Sequence, residues 1–87
     1  MTDGYGIEFD TSAAKAMKSL QRADQVRIAK AILALATDPR PKGCTKLSGS
    51  ISAYRIRIGV YRVVYLIDDA IRIITITRIG HRREVYR

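Results

Sequence analysis

One cysteine, Cys44, and one histidine, His81, are the only thiol and imidazole among the 87 residues. A lone thiol cannot close an intramolecular disulfide, and this pair falls short of a zinc set, so neither metal nor cofactor is expected and stability must come from packing. Long apolar runs are also missing: no stretch of eighteen residues or more could form a membrane-spanning helix. Met1 to Asp10 lacks the basic start and apolar core of a signal peptide, from which a cytoplasmic location is expected. There is no internal repeat, linker or low-complexity segment, and the length leaves room for one core, so residues 1–87 are expected to form a single domain. Acid is scarce: eight Asp and Glu face sixteen Lys and Arg, a net charge of +8 that favours polyanionic partners.

What is present is arginine, and it is concentrated. Residues 46–87 carry nine basic groups against three acidic ones, and eight of the nine are arginines. The planar guanidinium fork suits bidentate phosphate contact, which turns a general charge excess into a candidate site.

The apolar pattern predicts an α+β fold of order β-α-α-β-β-β, an antiparallel sheet packed against a two-helix hairpin. Tyr5, Ile7 and Phe9 alternate as a half-buried strand. Asp10, Thr11 and Ser12 are N-cap candidates for a short helix with Ala13, Ala16, Met17 and Leu20 on one side. From Arg22 to Thr37 a second helix carries Val26, Ala29, Leu33 and Ala36 on one stripe, widened by Ile28, Ile32 and Leu35. Asp38-Pro39 ends it, and a loop runs through Gly49. Residues 54–58, 61–67 and 70–79 then read as three β-branched strands separated by Gly59-Val60 and Asp68-Asp69.

Strand parity sharpens the candidate site. Tyr54, Ile56 and Ile58 share one face, so Arg55 and Arg57 share the other, and a two-residue turn at Gly59-Val60 places Arg57 opposite Arg62. Like charges opposite one another are unfavourable, and a bound phosphate relieves the cost. Simple parity on the last strand puts Arg72 and Arg78 on the face of Ile56 and Val63, with Ile71, Ile73 and Ile79 on the arginine face, unless a bulge shifts its register. Arg78 is therefore open, and Arg72 is left outside the candidate set. Beyond Ile79, Gly80 to Arg87 is a dense polar tail holding His81, Arg82, Arg83 and Tyr86.

Lys46-Leu-Ser-Gly49, Tyr54-Arg-Ile-Arg-Ile-Gly59, Tyr61-Arg-Val-Val-Tyr65 and Gly80-His-Arg-Arg-Glu-Val-Tyr86, in that order, resemble the RelE branch of the RelE/ParE toxin superfamily. The resemblance implies a type II toxin, a ribosome-dependent endoribonuclease that cleaves mRNA in the A site by metal-free 2′-hydroxyl attack and is neutralised by a RelB-like antitoxin. It further implies that Arg57 and Arg62 stabilise the transition state, that His81 or Arg82 assists the leaving group, and that Tyr86 stacks on a base or orients the 2′-hydroxyl. Lys46, Arg55, Arg78 and Arg83 are RNA-binding candidates. The family's best-known member has a lysine on the second strand where this chain has arginine, a poor proton acceptor, so the general base is unassigned. Two alternatives stand beside this reading: a ParE-like inhibitor of DNA gyrase without nuclease chemistry, and a non-catalytic nucleic-acid-binding module.

Overall fold

A computed structural model describes residues 4–47, 49 and 52–81. The elements are β1 (Gly6–Phe9), α1 (Thr11–Ser19), α2 (Arg22–Ala34), β2 (Thr45–Lys46), β3 (Ala53–Ile58), β4 (Tyr61–Asp68) and β5 (Ile73–His81). The α+β class and the β-α-α-β-β-β order stand, with one short strand, β2, added within the segment expected to be loop. The sheet runs β1-β5-β4-β3-β2. Its β2-β3-β4-β5 part is antiparallel, while β1 joins β5 in parallel, Gly6 beside Ile73 and Phe9 beside Ile76. The sheet is therefore mixed, because the two helices between β1 and the remaining strands carry the chain over the sheet rather than back along its edge.

Asp10 begins α1 as anticipated: its Oδ1 accepts the Ala13 amide at 2.9 Å, satisfying one of the donors that a helix start leaves without a partner. α1 packs over β5 and α2 over β3, so both helices cover the same face of the sheet. On α2 the buried stripe is Ile28, Ile32 and Leu35, whereas Val26 and Leu33 are 43% and 66% exposed. The stripe expected from spacing is thus rotated. Ile28, Ile32 and Leu35 form an i, i+4, i+7 row that presents larger apolar surface to the strands than the alanine-bearing row beside it.

That row meets Ile56, Val63, Tyr65, Ile67, Ile74, Ile76 and Ile79, which complete the core together with Ala13. The Tyr65 hydroxyl donates to the Pro39 carbonyl at 2.8 Å, and its ring stacks near Tyr54 with centroids 6.0 Å apart. Burial pushes the Tyr65 phenol well above its ordinary pKa, so it remains a donor. This bond ties the segment that ends α2 to the centre of the sheet. Arg40 continues the tie: its Nε donates to the Tyr54 hydroxyl and its Nη2 to Asp69 Oδ2, both at 3.0 Å. Asp69 Oδ1 also accepts the Tyr5 hydroxyl at 2.5 Å, and the Arg72 guanidinium lies 4.6 Å from the centre of the Tyr5 ring.

Candidate nucleic-acid interface

The β3-β4 hairpin forms in the anticipated register, with Ile58 opposite Tyr61, Arg57 opposite Arg62 and Ile56 opposite Val63. Gly59 opens the turn with φ +60, the left-handed backbone that a tight two-residue hairpin needs at its first central position. Because Ile56 and Val63 belong to the helix-covered core, Arg55, Arg57 and Arg62 share the opposite face. Among the described residues no helix covers that face.

The third strand of the group departs from simple parity. Val64 pairs with Arg78 and Tyr65 with Ile76, so Thr77 is an extra residue on β5, and its hydroxyl donates to the Val64 carbonyl at 3.2 Å. This bulge reverses the faces on its far side. Arg78 consequently joins Arg55, Arg57 and Arg62, while Ile79 turns inward opposite Val63 and is 6% exposed. Ile73, opposite Asp68, lies on the open face, whereas Ile71 is 66% exposed in the β4-β5 turn. Arg72 belongs to that turn as well, at φ +58, because the strand begins at Ile73 rather than at Ala70. Asp68 accounts for the longer turn: its Oδ1 accepts the amides of Ala70 and Ile71 at 3.0 and 3.2 Å.

The arginines differ in setting. Arg57 is exposed and Arg55 partly buried, whereas Arg62, at 4% exposure, is the one buried charged side chain among the described residues. Arg62 Nη1 donates to its neighbour's carbonyl, Tyr61 O, at 3.4 Å. A guanidinium held in a low-dielectric setting acts more strongly on an anion than one in bulk water. The far end of the same face is mixed in charge: Glu8, Asp68, Asp69 and Arg40 border a depression of about 550 Å³ lined also by Leu66, Ile73 and Thr75, and Arg40 is paired there with Asp69. Clustered positive charge is thus confined to the hairpin end of the face.

Two candidates fall elsewhere. Lys46 pairs with Tyr54, so β2 sets it on the side opposite Arg55. His81 pairs with Tyr61, the ring centroids 6.2 Å apart at an interplanar angle of 71°, and this too is the face away from Arg57 and Arg62. Arg82, Arg83 and Tyr86 lie outside the described residues. Sequence reasoning passed over two side-chain bonds, one behind the hairpin tip and one at the opposite end of the sheet. Asp24, on α2, accepts the Tyr61 hydroxyl through Oδ2 at 3.1 Å. Arg40 and Asp69 form the one ion pair that joins distant segments among the described residues. Neither bond has a local sequence signature, since each joins residues far apart in the chain.

The described residues form a small α+β domain, strongly basic, with helices on one sheet face and four arginines on the other. Comparison with known proteins identifies the family. Residues 7–86 match the family model described as the ParE toxin of the type II toxin-antitoxin system parDE. A curated relative, the candidate toxin RelE1 of Methanocaldococcus jannaschii, is 34% identical over 88 residues, covering 95% of this chain and 96% of that protein. Among solved structures, the archaeal RelE-RelB complex from Pyrococcus horikoshii OT3 aligns with a TM-score of 0.81 at 28% identity, covering 91% of this chain and 96% of that one. The isolated E. coli RelE toxin aligns with a TM-score of 0.80 at 28% identity, covering 94% and 90%. This chain belongs to the RelE/ParE superfamily and is a toxin of the type II toxin-antitoxin class.

Proposed function

We propose that this toxin is a RelE-like endoribonuclease that cuts mRNA on the ribosome. The observation that carries the reading is the facing pair Arg57 and Arg62, flanked by Arg55 and Arg78, on the sheet face opposite the two described helices. Guanidinium groups gathered on one face suit a phosphodiester, whose oxygens match the planar fork of arginine in bidentate contact.

In the reaction, the 2′-oxygen attacks the adjacent phosphorus as its proton departs, the bond from phosphorus to the 5′-oxygen breaks, and the 5′-oxygen takes up a proton. The products are a 2′,3′-cyclic phosphate and a 5′-hydroxyl. Arg57 and Arg62 hold the pentacoordinate phosphorane, whose extra negative charge is the species that preorganised guanidinium groups stabilise best. His81 stands on the other face, so assistance to the leaving oxygen passes to Arg82, and Tyr86 orients the 2′-hydroxyl or stacks on a base. The proton acceptor is unassigned. Alignment of the 2′-hydroxyl by the ribosome reduces the demand on it, since positioning alone contributes on the order of 7–11 kcal/mol.

The partner is a RelB-like antitoxin in the cytoplasm, an acidic segment that folds as it wraps a chain of net charge +8. A groove of about 570 Å³ lined by Ala31, Ala34, Leu35, Ile56 and Arg57 gives such a segment an apolar seat beside the arginine face. RelE-RelB complexes among the structural neighbours support this partner.

The deciding experiment maps mRNA cleavage in a translating extract charged with purified toxin. Cuts that require ribosomes and disappear in Arg62→Ala support the proposal, while intact mRNA with unimpaired translation sinks it. The family model named for ParE favours a second reading, inhibition of DNA gyrase. A supercoiling assay on the same preparation separates the two.

A further inference from the structure

We infer that Asp24 is a positioning residue for the proposed nuclease site, acting through Tyr61 on the hairpin tip and on His81 at the end of β5. The inference rests on the nuclease reading only for its kinetic consequence. Asp24 lies in the first turn of α2, where a carboxylate is favoured by the helix dipole. One of its oxygens accepts the Tyr61 hydroxyl at 3.1 Å, and the other lies 3.7 Å from Arg27 Nη1 one turn along the helix. Arg27 in turn reaches across the hairpin tip: a methyl group placed on Gly59 would come within 2.5 Å of its Nη2.

The helix therefore grips the β3-β4 turn at two neighbouring points, through Arg27 over Gly59 and Asp24 at Tyr61. Arg57 and Arg62 are the facing pair on either side of this turn. Tyr61 also connects sideways. Its hydroxyl end is held by Asp24 while its ring meets His81 edge-on, so the orientation set on α2 passes across β4 to the end of β5. His81, far from acting as the proton donor, is the far end of this brace.

Asp24 touches no reacting atom, so its removal should alter geometry rather than affinity. A displacement of about 1 Å at a reacting centre is enough to cost roughly 100-fold in rate. For Asp24→Ala, kcat for ribosome-dependent cleavage should fall by about tenfold or more with KM little changed. Asp24→Asn keeps an acceptor for Tyr61 and should restore most of the rate. Tyr61→Phe should match Asp24→Ala, and the double variant should be no worse than either single one, because both remove the same bond.

A second readout does not depend on activity. The chain holds one histidine, so its imidazole ring protons give a single assignable pair of NMR signals. These signals should move in Asp24→Ala, where the Tyr61 ring is released, and return towards their original positions in Asp24→Asn. Thermal melts check that each variant folds, and Tyr61→Phe replaces Asp24→Ala if the latter does not. Unmoved His81 signals in a folded Asp24→Ala or Tyr61→Phe overturn the inference whatever the rate does. Moved signals with an unchanged kcat in an active background overturn it also. A wild type that leaves mRNA intact overturns the nuclease reading and with it the kinetic half of the inference, an outcome distinguished from the others because His81 still reports whether the brace exists.

Discussion

Arg57 and Arg62 occupy one register position, yet only Arg62 is buried, and the difference predicts different phenotypes. Arg62→Ala removes a charge held rigidly in a water-poor setting, and cleavage should fall by about 10²- to 10³-fold in kcat, the scale of losing one preorganised oxyanion donor. Arg57→Ala, at an exposed site, should act more through KM, and single-turnover measurements on ribosome-bound mRNA separate the two effects. Asp69 offers a test of stability in place of activity. The Arg40 guanidinium and then the Tyr5 hydroxyl hold its carboxyl below the ordinary carboxylate range. A carboxylate with a lowered folded pKa stabilises the native state above its unfolded value of about 4, and that contribution is lost as pH falls through the folded value. Wild type should therefore exceed Asp69→Asn in urea midpoint at pH 7 by a small margin, with the two converging as the pH is taken down towards 2. A gap that persists unchanged into acid would refute the assignment of the effect to this carboxylate.

At the scale of elements, the choice of buried row on α2 carries the clearest consequence. Ile32→Ala opens a cavity beneath a fully packed sheet and should cost about 2–5 kcal/mol, whereas Leu33→Ala, on the exposed row, should stay within about 0.5 kcal/mol. Urea titration of both variants distinguishes the rows. The neighbouring residues Leu33 and Ile32 also show where sequence reading stops. Spacing alone defined an apolar helix, but the rotation of that helix was decided by which side chains filled the space above β3. The β3-β4 hairpin was legible because period-2 alternation and a glycine turn are local signals, and they carried Arg55, Arg57 and Arg62 to the same face correctly. The position of Arg78 was not legible, because a single inserted residue at Thr77 leaves no mark in composition. β2 was hidden for a related reason: a two-residue strand shows no alternation, and its existence depends on the edge that β3 offers. The face of His81 was not legible either, because its position in a polar tail says nothing of which side of β5 it occupies.

For the whole molecule, the cluster of arginines on one face makes salt the most informative variable. Each phosphate neutralised on single-stranded RNA contributes roughly 0.7 to the negative slope of log affinity against log salt, so four engaged arginines should produce a slope near about −3. Replacing Arg55 or Arg78 by Ala should reduce that slope by about 0.7 each, as measured by fluorescence anisotropy on a short oligoribonucleotide, while Lys46→Ala should change it least. Equal reductions for all three would show that binding is spread over the entire basic surface. The parallel pairing of β1 with β5 has a different kind of consequence. Gly6 finds its partner at Ile73 and Phe9 at Ile76, so the first strand to be synthesised depends on the last for its ladder. Such end-to-end contacts raise the loop-closure cost and slow folding relative to a chain of local hairpins. During synthesis the β3-β4 hairpin can form as soon as it emerges, but β1 must wait with its edge unpaired until β5 has left the ribosome. A toxin built this way cannot close its sheet on a nascent chain that stops short of β5.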